Sequence, residues 1–282
     1  MEKVKIVCPS CSKNGIIEIS PDALKNSLRG LLAVNIAKGI ICEHSFIAYI
    51  DKNLNVRDYF IADFQIELPE ITPEEKIKVG KIPSKDIVDI DLIKLNMPAI
   101  QLVYILKSIF YKQKVVLIND QEFLYTHIYN FLKYITQNSF EIDISILTQE
   151  KYKNNKKNYK DSMVFKSVSI VKNVKNLINP KKIDVEKQIV NRFMTEYDLG
   201  YSYIVLKNDI QKAFELSKVI LDFVDESEKK NESVNILKIN VELEKKYEIK
   251  INKQYLNFLT EIVEHYFGVL LPSLTDSFFD FL

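Results

Sequence analysis

The chain has no tryptophan, only six glycines, three cysteines and three histidines, and almost no net charge, +1 over 282 residues. Each shortage removes a class of reading. A charge near zero sets up no global field for a polyanion, so any nucleic-acid or membrane-surface contact has to come from a local patch. The segment LINDQEF after an apolar run contains no glycine, so neither a P-loop nor a dinucleotide fingerprint stands there. No apolar run approaches the roughly 18–20 residues of a membrane helix. The start, MEKVKIVCPS, has no basic region followed by an apolar one, which argues against export. Neither G-x-S-x-G, H-E-x-x-H nor a kinase-type set occurs, and no carboxylate pair stands out as acid and base. These absences point away from an enzyme.

What the chain does have is concentrated near its beginning. All three cysteines fall within the first 42 residues, an odd number that suits metal ligation in a reducing cytoplasm better than a disulfide framework. Cys8 and Cys11 form C-x-x-C, and Cys42 and His44 form C-x-H. Four soft or borderline donors in two pairs suit one tetrahedral Zn²⁺. Pro9 helps to turn the chain after the first ligand, and Gly15 is expected to allow a tight turn into a return strand, Ile16–Ile19. Further strands are expected over 31–36, 39–50 and 56–64, with a turn at Asp51-Lys52-Asn53. On a strand, residues i and i+2 share a face, so Cys42 and His44 would both look towards the knuckle. The alternative reading is a small β core with reduced cysteines and a hydrogen-bonded His44.

Beyond it, residues 69–96 carry three prolines among many charges and read as an extended linker. Met97 to Tyr111 is a helix apolar on most of its surface, and Lys114–Ile118 is a buried-type strand. Asn119-Asp120 then caps a helix to about Thr136, and Ile142–Ile146 alternates as a strand, which together suggest a parallel α/β layer. Met163 to Val171 reads as one strand. Asp184–Tyr197 is an amphipathic helix, Leu199-Gly200 a helix stop, and Asn208-Asp209 the cap of a helix to about Val224. The charged run Asp225–Ser233 reads as a linker, with two more helices after it. The apolar end, with Phe278, Phe279, Phe281 and Leu282, is expected to dock on the body. The predicted fold is α+β (mixed α/β): a β-rich zinc-binding module over 1–68, a linker over 69–96, a small α/β domain over 97–180 and a mainly helical region over 181–282.

Between residues 149 and 161 the sequence is a polar, loop-like interruption. From Lys151 to Lys182 there are ten lysines against the single acid Asp161. Lys151, Lys153, Lys156, Lys157 and Lys160 could neutralise phosphates, while Tyr152 and Tyr159 could stack on bases. The plainer reading is solvated surface charge, since arginine, the side chain suited to bidentate phosphate recognition, does not occur there.

The segment CPSC…LRGLLAVNIAKGIICEHSFIAYIDKNLNVRDYFIADF resembles a module of uncharacterised archaeal proteins with a C-x-H-S-F…D-x-N…V-R-x-Y signature. In this sequence the signature falls on Cys42, His44, Ser45, Phe46, Asp51, Asn53, Val56, Arg57 and Tyr59. The resemblance implies a binding or regulatory module beside domains linked to small-GTPase regulation. Residues 97–168 resemble, more faintly, the centre of DENN-type exchange modules, which implies nucleotide exchange on a small GTPase. Three functional expectations follow. The first is a non-enzymatic cytoplasmic adaptor or regulator with a structural Zn²⁺ and a protein partner. The second is a nucleic-acid-binding protein using the zinc module and the Lys/Tyr segment. The third is a DENN-like guanine-nucleotide exchange factor.

Overall fold

A computed structural model of the chain describes residues 2–21, 31–61, 88–196, 199–230, 234–247 and 251–271. The architecture is α+β, with strands at the N-terminus, a mixed layer in the middle and helices towards the C-terminus.

Strands β1 (Glu2–Val7) and β2 (Asn14–Ile19) form an antiparallel hairpin. Its alternating pattern turns Val4 and Ile6 inward and leaves Lys3, Lys5 and Val7 outside. Strands β3 (Leu31–Ile36), β4 (Phe46–Asp51) and β5 (Val56–Ile61) form a second antiparallel sheet with β4 central. All of β4 is buried because both of its faces are covered. Phe46, Ala48 and Ile50 pack with Val4, Ile6 and Ile36, whereas Ile47 and Tyr49 join the core of the rest of the molecule.

The β4–β5 turn is built by Asp51. Its Oδ1 accepts the N–H groups of Asn53 and Asn55, each at 2.9 Å, and Arg57 Nε donates to Oδ2 at 2.6 Å. The Tyr59 hydroxyl accepts the N–H of Val7 at 3.0 Å and so ties the hairpin to the sheet. Asp51, Asn53, Arg57 and Tyr59 of the signature thus fasten the module together.

Helices α1 (Ile90–Asn96) and α2 (Ala99–Phe110) bend by 105° at Met97-Pro98. Every residue of α2 except Ile100 is buried, as its apolar circumference requires. Asp58 of β5 accepts the first N–H of α2, from Ala99, at 2.7 Å. The sheet therefore supplies a carboxylate to the positive end of the helix. The middle sheet has the order β7-β6-β8-β9. Strands β6 (Val115–Ile118), β7 (Ile144–Leu147) and β8 (Met163–Lys166) run parallel, and β9 (Ser169–Lys172) returns antiparallel. Val115, Leu117, Met163 and Phe165 face the main core. Val116, Ile118 and Val164 face a smaller one with Tyr152. Helix α3 (Tyr125–Ile135) follows β6, and α4 (Gln149–Asn154) with the 3₁₀ turn Lys156–Tyr159 follows β7. Asp120, at the end of β6, caps neither neighbour in sequence; its Oδ1 accepts the Gln149 N–H at 2.8 Å and anchors the start of α4. Helices α5 (Asp184–Thr195), α6 (Leu199–Lys229), α7 (Ile236–Tyr247) and α8 (Lys253–Ile262), ending in the π-helical turn Val263–Phe267, complete the body.

Where α2, α5 and α8 meet, Lys107 is buried between two carboxylates. Its Nζ lies 2.8 Å from Glu186 Oε1 and 2.6 Å from Glu261 Oε2. Tyr111 donates its hydroxyl to the same Glu261 oxygen at 2.7 Å, and the His265 ring stacks on Tyr111 at 4.0 Å. His127 accepts the N–H of Asp89 through Nδ1 at 3.2 Å. Both of these histidines are thereby engaged in packing contacts.

Several local expectations are corrected. Leu199-Gly200 does not stop a helix, and Asn208-Asp209 does not start one. After α5 ends at Thr195, a single 31-residue helix opens at Leu199, runs through Asn208-Asp209 and takes in most of the charged run to Lys229. Gly200 sits in the first turn, where a poor helix former costs little, and Asp209 is buried against Arg192 at 3.0 Å instead of capping. Residues 149–161 are a helix and a 3₁₀ turn, because Tyr152 anchors them on the sheet. The strand over 163–171 is a hairpin, turned at Ser167 with φ 48°. Part of the 69–96 stretch is helical, since Asp89 accepts the Leu92 N–H and starts α1; residues 69–87 lie outside the described residues, as do Phe278, Phe279, Phe281 and Leu282.

Candidate metal centre

Cys8 follows directly on β1, and the chain turns at once. Cys8 accepts the Ser12 N–H at 2.9 Å, and its own N–H donates to Lys13 at 2.8 Å. The tight turn is made by Ser12, in the left-handed region at φ 60°, rather than by Gly15. Gly15 lies within β2, where a Cβ would stand 3.0 Å from Ile41 Cγ1. Its missing side chain lets the second ligand segment come close. The N–H of Ser10 points at Cys8 Sγ at 3.4 Å, the kind of contact that suits a thiolate.

The second pair is positioned by another turn. Gly39, at φ 92°, donates its N–H to Cys42 at 2.8 Å, and Ile40 donates to Ala37 at 3.2 Å. Cys42 and His44 are not on a strand, since β4 begins only at Phe46. A turn, and not the shared face of a strand, sets this pair. The turn brings Cys42 Sγ to 3.6 Å from His44 Nδ1.

The four donor atoms of Cys8, Cys11, Cys42 and His44 all lie within 4.8 Å of one another, close enough to bind one metal ion. With metal–sulfur bonds near 2.3 Å and metal–nitrogen bonds near 2.0–2.1 Å, the edges of a tetrahedral site measure about 3.5–3.8 Å. The Cys42–His44 edge already has that length, and the remaining edges need only a small contraction. Cys8 and Cys42 are 1% and 8% exposed, whereas Cys11 is on the surface, so the cluster has a buried and an open side. All three cysteines are free thiols.

The surroundings divide the two buried thiols. Burial raises the Cys8 thiol, but the backbone N–H groups of Cys11 and Ser10 outweigh it and bring it down to about 7. The backbone of His44 lowers the Cys42 thiol, while burial and the neighbouring Cys8 and Cys11 together push it up to about 11. A cation between the thiols removes that conflict, since it stabilises every thiolate at once.

The Lys/Tyr segment lies elsewhere, on the outer face of the middle sheet. Lys153, Lys156, Lys157 and Lys160 are exposed there, and Lys151 is exposed but lies 3.1 Å from Glu122. Tyr152 is only 4% exposed, with its ring against Val116, Ile118 and Val164, and Tyr159 stacks on it at 6.2 Å. Among the described residues no single helix is long and apolar enough to cross a membrane.

No family model, curated protein or solved structure matches the chain. The likenesses to the archaeal module and to DENN-type modules therefore stand on the quoted residues alone.

Proposed function

We propose that the cluster holds a structural Zn²⁺ in a zinc-ribbon-like module, and that the protein is a non-enzymatic adaptor whose module presents a binding surface to a protein partner. The observation that carries this reading is the closed donor set. Three thiolates and one imidazole fill a tetrahedron, leaving no position for water or substrate, so the ion would build structure rather than activate a ligand. Its place supports the same role. The ion would join the β1–β2 hairpin to the segment leading into β4, beside the small apolar core that hairpin and sheet share. The resemblance to the archaeal module supplies the partner class, a small GTPase or one of its regulators.

Elemental mass spectrometry of the purified protein tests the metal. One zinc per chain, lost together with thermal stability in Cys42→Ser, is expected; no metal and an unchanged melting curve in that variant would remove the proposal. Titration against a panel of small GTPases in both nucleotide states then tests the partner class. Saturable binding without accelerated nucleotide release would fit an adaptor, and accelerated release would replace it with an exchange factor.

A further inference from the structure

The ten lysines between Lys151 and Lys182 face one aspartate, a net charge of +9, whereas the whole chain carries +1, so everything outside the segment sums to −8. The molecule is electrically divided, and the basic part is folded. Tyr152 plugs α4 into the outer face of the sheet beside Val116, Ile118 and Val164. Lys172 of β9 donates its ammonium to the backbone carbonyls of Tyr159 and Lys160 and pins the 3₁₀ turn to the sheet edge. Lys153, Lys156, Lys157 and Lys160 project to solvent from this fixed backbone, and Lys175 is exposed just beyond β9. Acidic groups meet the patch at its margins, with Glu122 against Lys151, Glu150 exposed just before the segment and Asp161 exposed within it.

We infer that this face binds the phosphate backbone of a nucleic-acid duplex without reading its sequence. Lysine clusters on a rigid surface neutralise phosphates and release counterions, which needs no particular base. The usual base-reading and base-stacking groups are scarce here: the segment contains no arginine, Tyr152 is turned into the sheet, and Tyr159 is stacked on it. A lipid surface fits less well, because the lysine turn carries no apolar anchor. The exposed valines nearby, Val168 and Val171, belong to the β8–β9 hairpin. The inference is independent of the metal site and of any protein partner.

The experiment is fluorescence anisotropy of a labelled 30-base-pair DNA duplex of mixed sequence, titrated with the full chain between 50 and 200 mM salt. If four or five lysines contact phosphates, affinity falls about 150- to 500-fold over that range, and a second unrelated duplex behaves alike. Lys153→Glu/Lys156→Glu/Lys157→Glu/Lys160→Glu abolishes binding. An equal charge change at the exposed Lys3, Lys5, Lys229 and Lys230 leaves most of it. Circular dichroism of both variants should match the parent, since every altered side chain is on the surface. No binding at 50 mM salt, or equal loss in the two variants, overturns the inference. So does binding to phosphatidylserine vesicles but not to the duplex, which would make the face a membrane contact.

Discussion

Replacing Lys107 by methionine tests how far the buried ion pair holds the helical body together. Lys107 and Glu186 side chains are 3% and 2% exposed, whereas Glu261 is about one-third open to solvent. Methionine fills much of the lysine volume, so packing changes little, but Glu186 is left as a buried carboxylate without its cation. Removing one partner of such a pair costs about 3–5 kcal/mol. For a chain of this size that corresponds to a melting temperature lower by roughly 6–20 °C. Glu186 has little else to turn to. Burial already raises its pKa, with Lys107 the chief opposing influence. A carboxyl held above its ordinary value binds its proton more tightly when folded, so stability falls as pH rises from the unfolded value through the folded one. In Lys107→Met the folded value rises further, and the loss should be larger at pH 8 than at pH 5. Lys107→Met/Glu186→Leu should recover most of the stability, because two apolar groups replace a pair that needed desolvation. Thermal denaturation of the parent, Lys107→Met, Glu186→Leu and the double variant at the two pH values completes the cycle. A single variant within about 1 kcal/mol of the parent at pH 8, or a double variant no better than the lysine variant, would refute the reasoning.

Ser12→Gly should raise stability by about 0.5–1 kcal/mol in chemical denaturation with zinc binding retained, because relief of a left-handed penalty of roughly 1–2 kcal/mol exceeds the added unfolded-state freedom of glycine, about 0.4–1 kcal/mol. Zinc affinity, measured by chelator competition, should be weaker at pH 6 than at pH 8, since the thiols of Cys8 and Cys42 must give up protons to the solvent on binding. Asp58→Ala should lower the denaturation midpoint by an amount equivalent to about 0.5–2 kcal/mol, the usual contribution of a side-chain cap, because the N–H of Ala99 loses its acceptor. Burial raises the Asp51 carboxyl, but the Asn55 N–H, Arg57 and the Asn53 N–H outweigh it and hold the group below its ordinary value of 3.8. Its contribution is therefore complete above that value and is lost as pH falls through the lowered one, so parent and Asp51→Ala should differ in urea midpoint at pH 7 and converge towards pH 2.

The donor set was legible from the sequence because ligand chemistry is local: C-x-x-C and C-x-H can be read without a fold. Their geometry was not. The left-handed conformation at Ser12 and the contact across Gly15 depend on a turn closed by Lys13 and on Ile41, some 26 residues further on. Helix α2 and strand β6 were legible because continuous apolar runs mean burial on all sides, and β7 was legible from its alternation. The long helix α6 was not, because Gly200, Asn208 and Asp209 are local stop or start signals that tertiary contacts overrule, with Arg192 claiming the Asp209 carboxylate. The Lys-rich stretch misled for a related reason. Its buried anchor on the sheet is Tyr152, which by composition looks like one aromatic among lysines and shows its role only when the face of the sheet beneath it is known.

Strand β4 gives one face to the metal module and the other to the helical body. A strand shared in this way makes the module a poor candidate for transplantation. Excised alone, it would carry Ile47, Tyr49 and Phe60 into water, and the body left behind would lose the apolar cover those residues provide. Stripping the metal should likewise be felt far from the thiols. Loosening β4 withdraws Tyr49 from the core and Asp58, through β5, from the head of α2, so a chelator would act on hydrogen exchange deep inside the helices as well as at the knuckle.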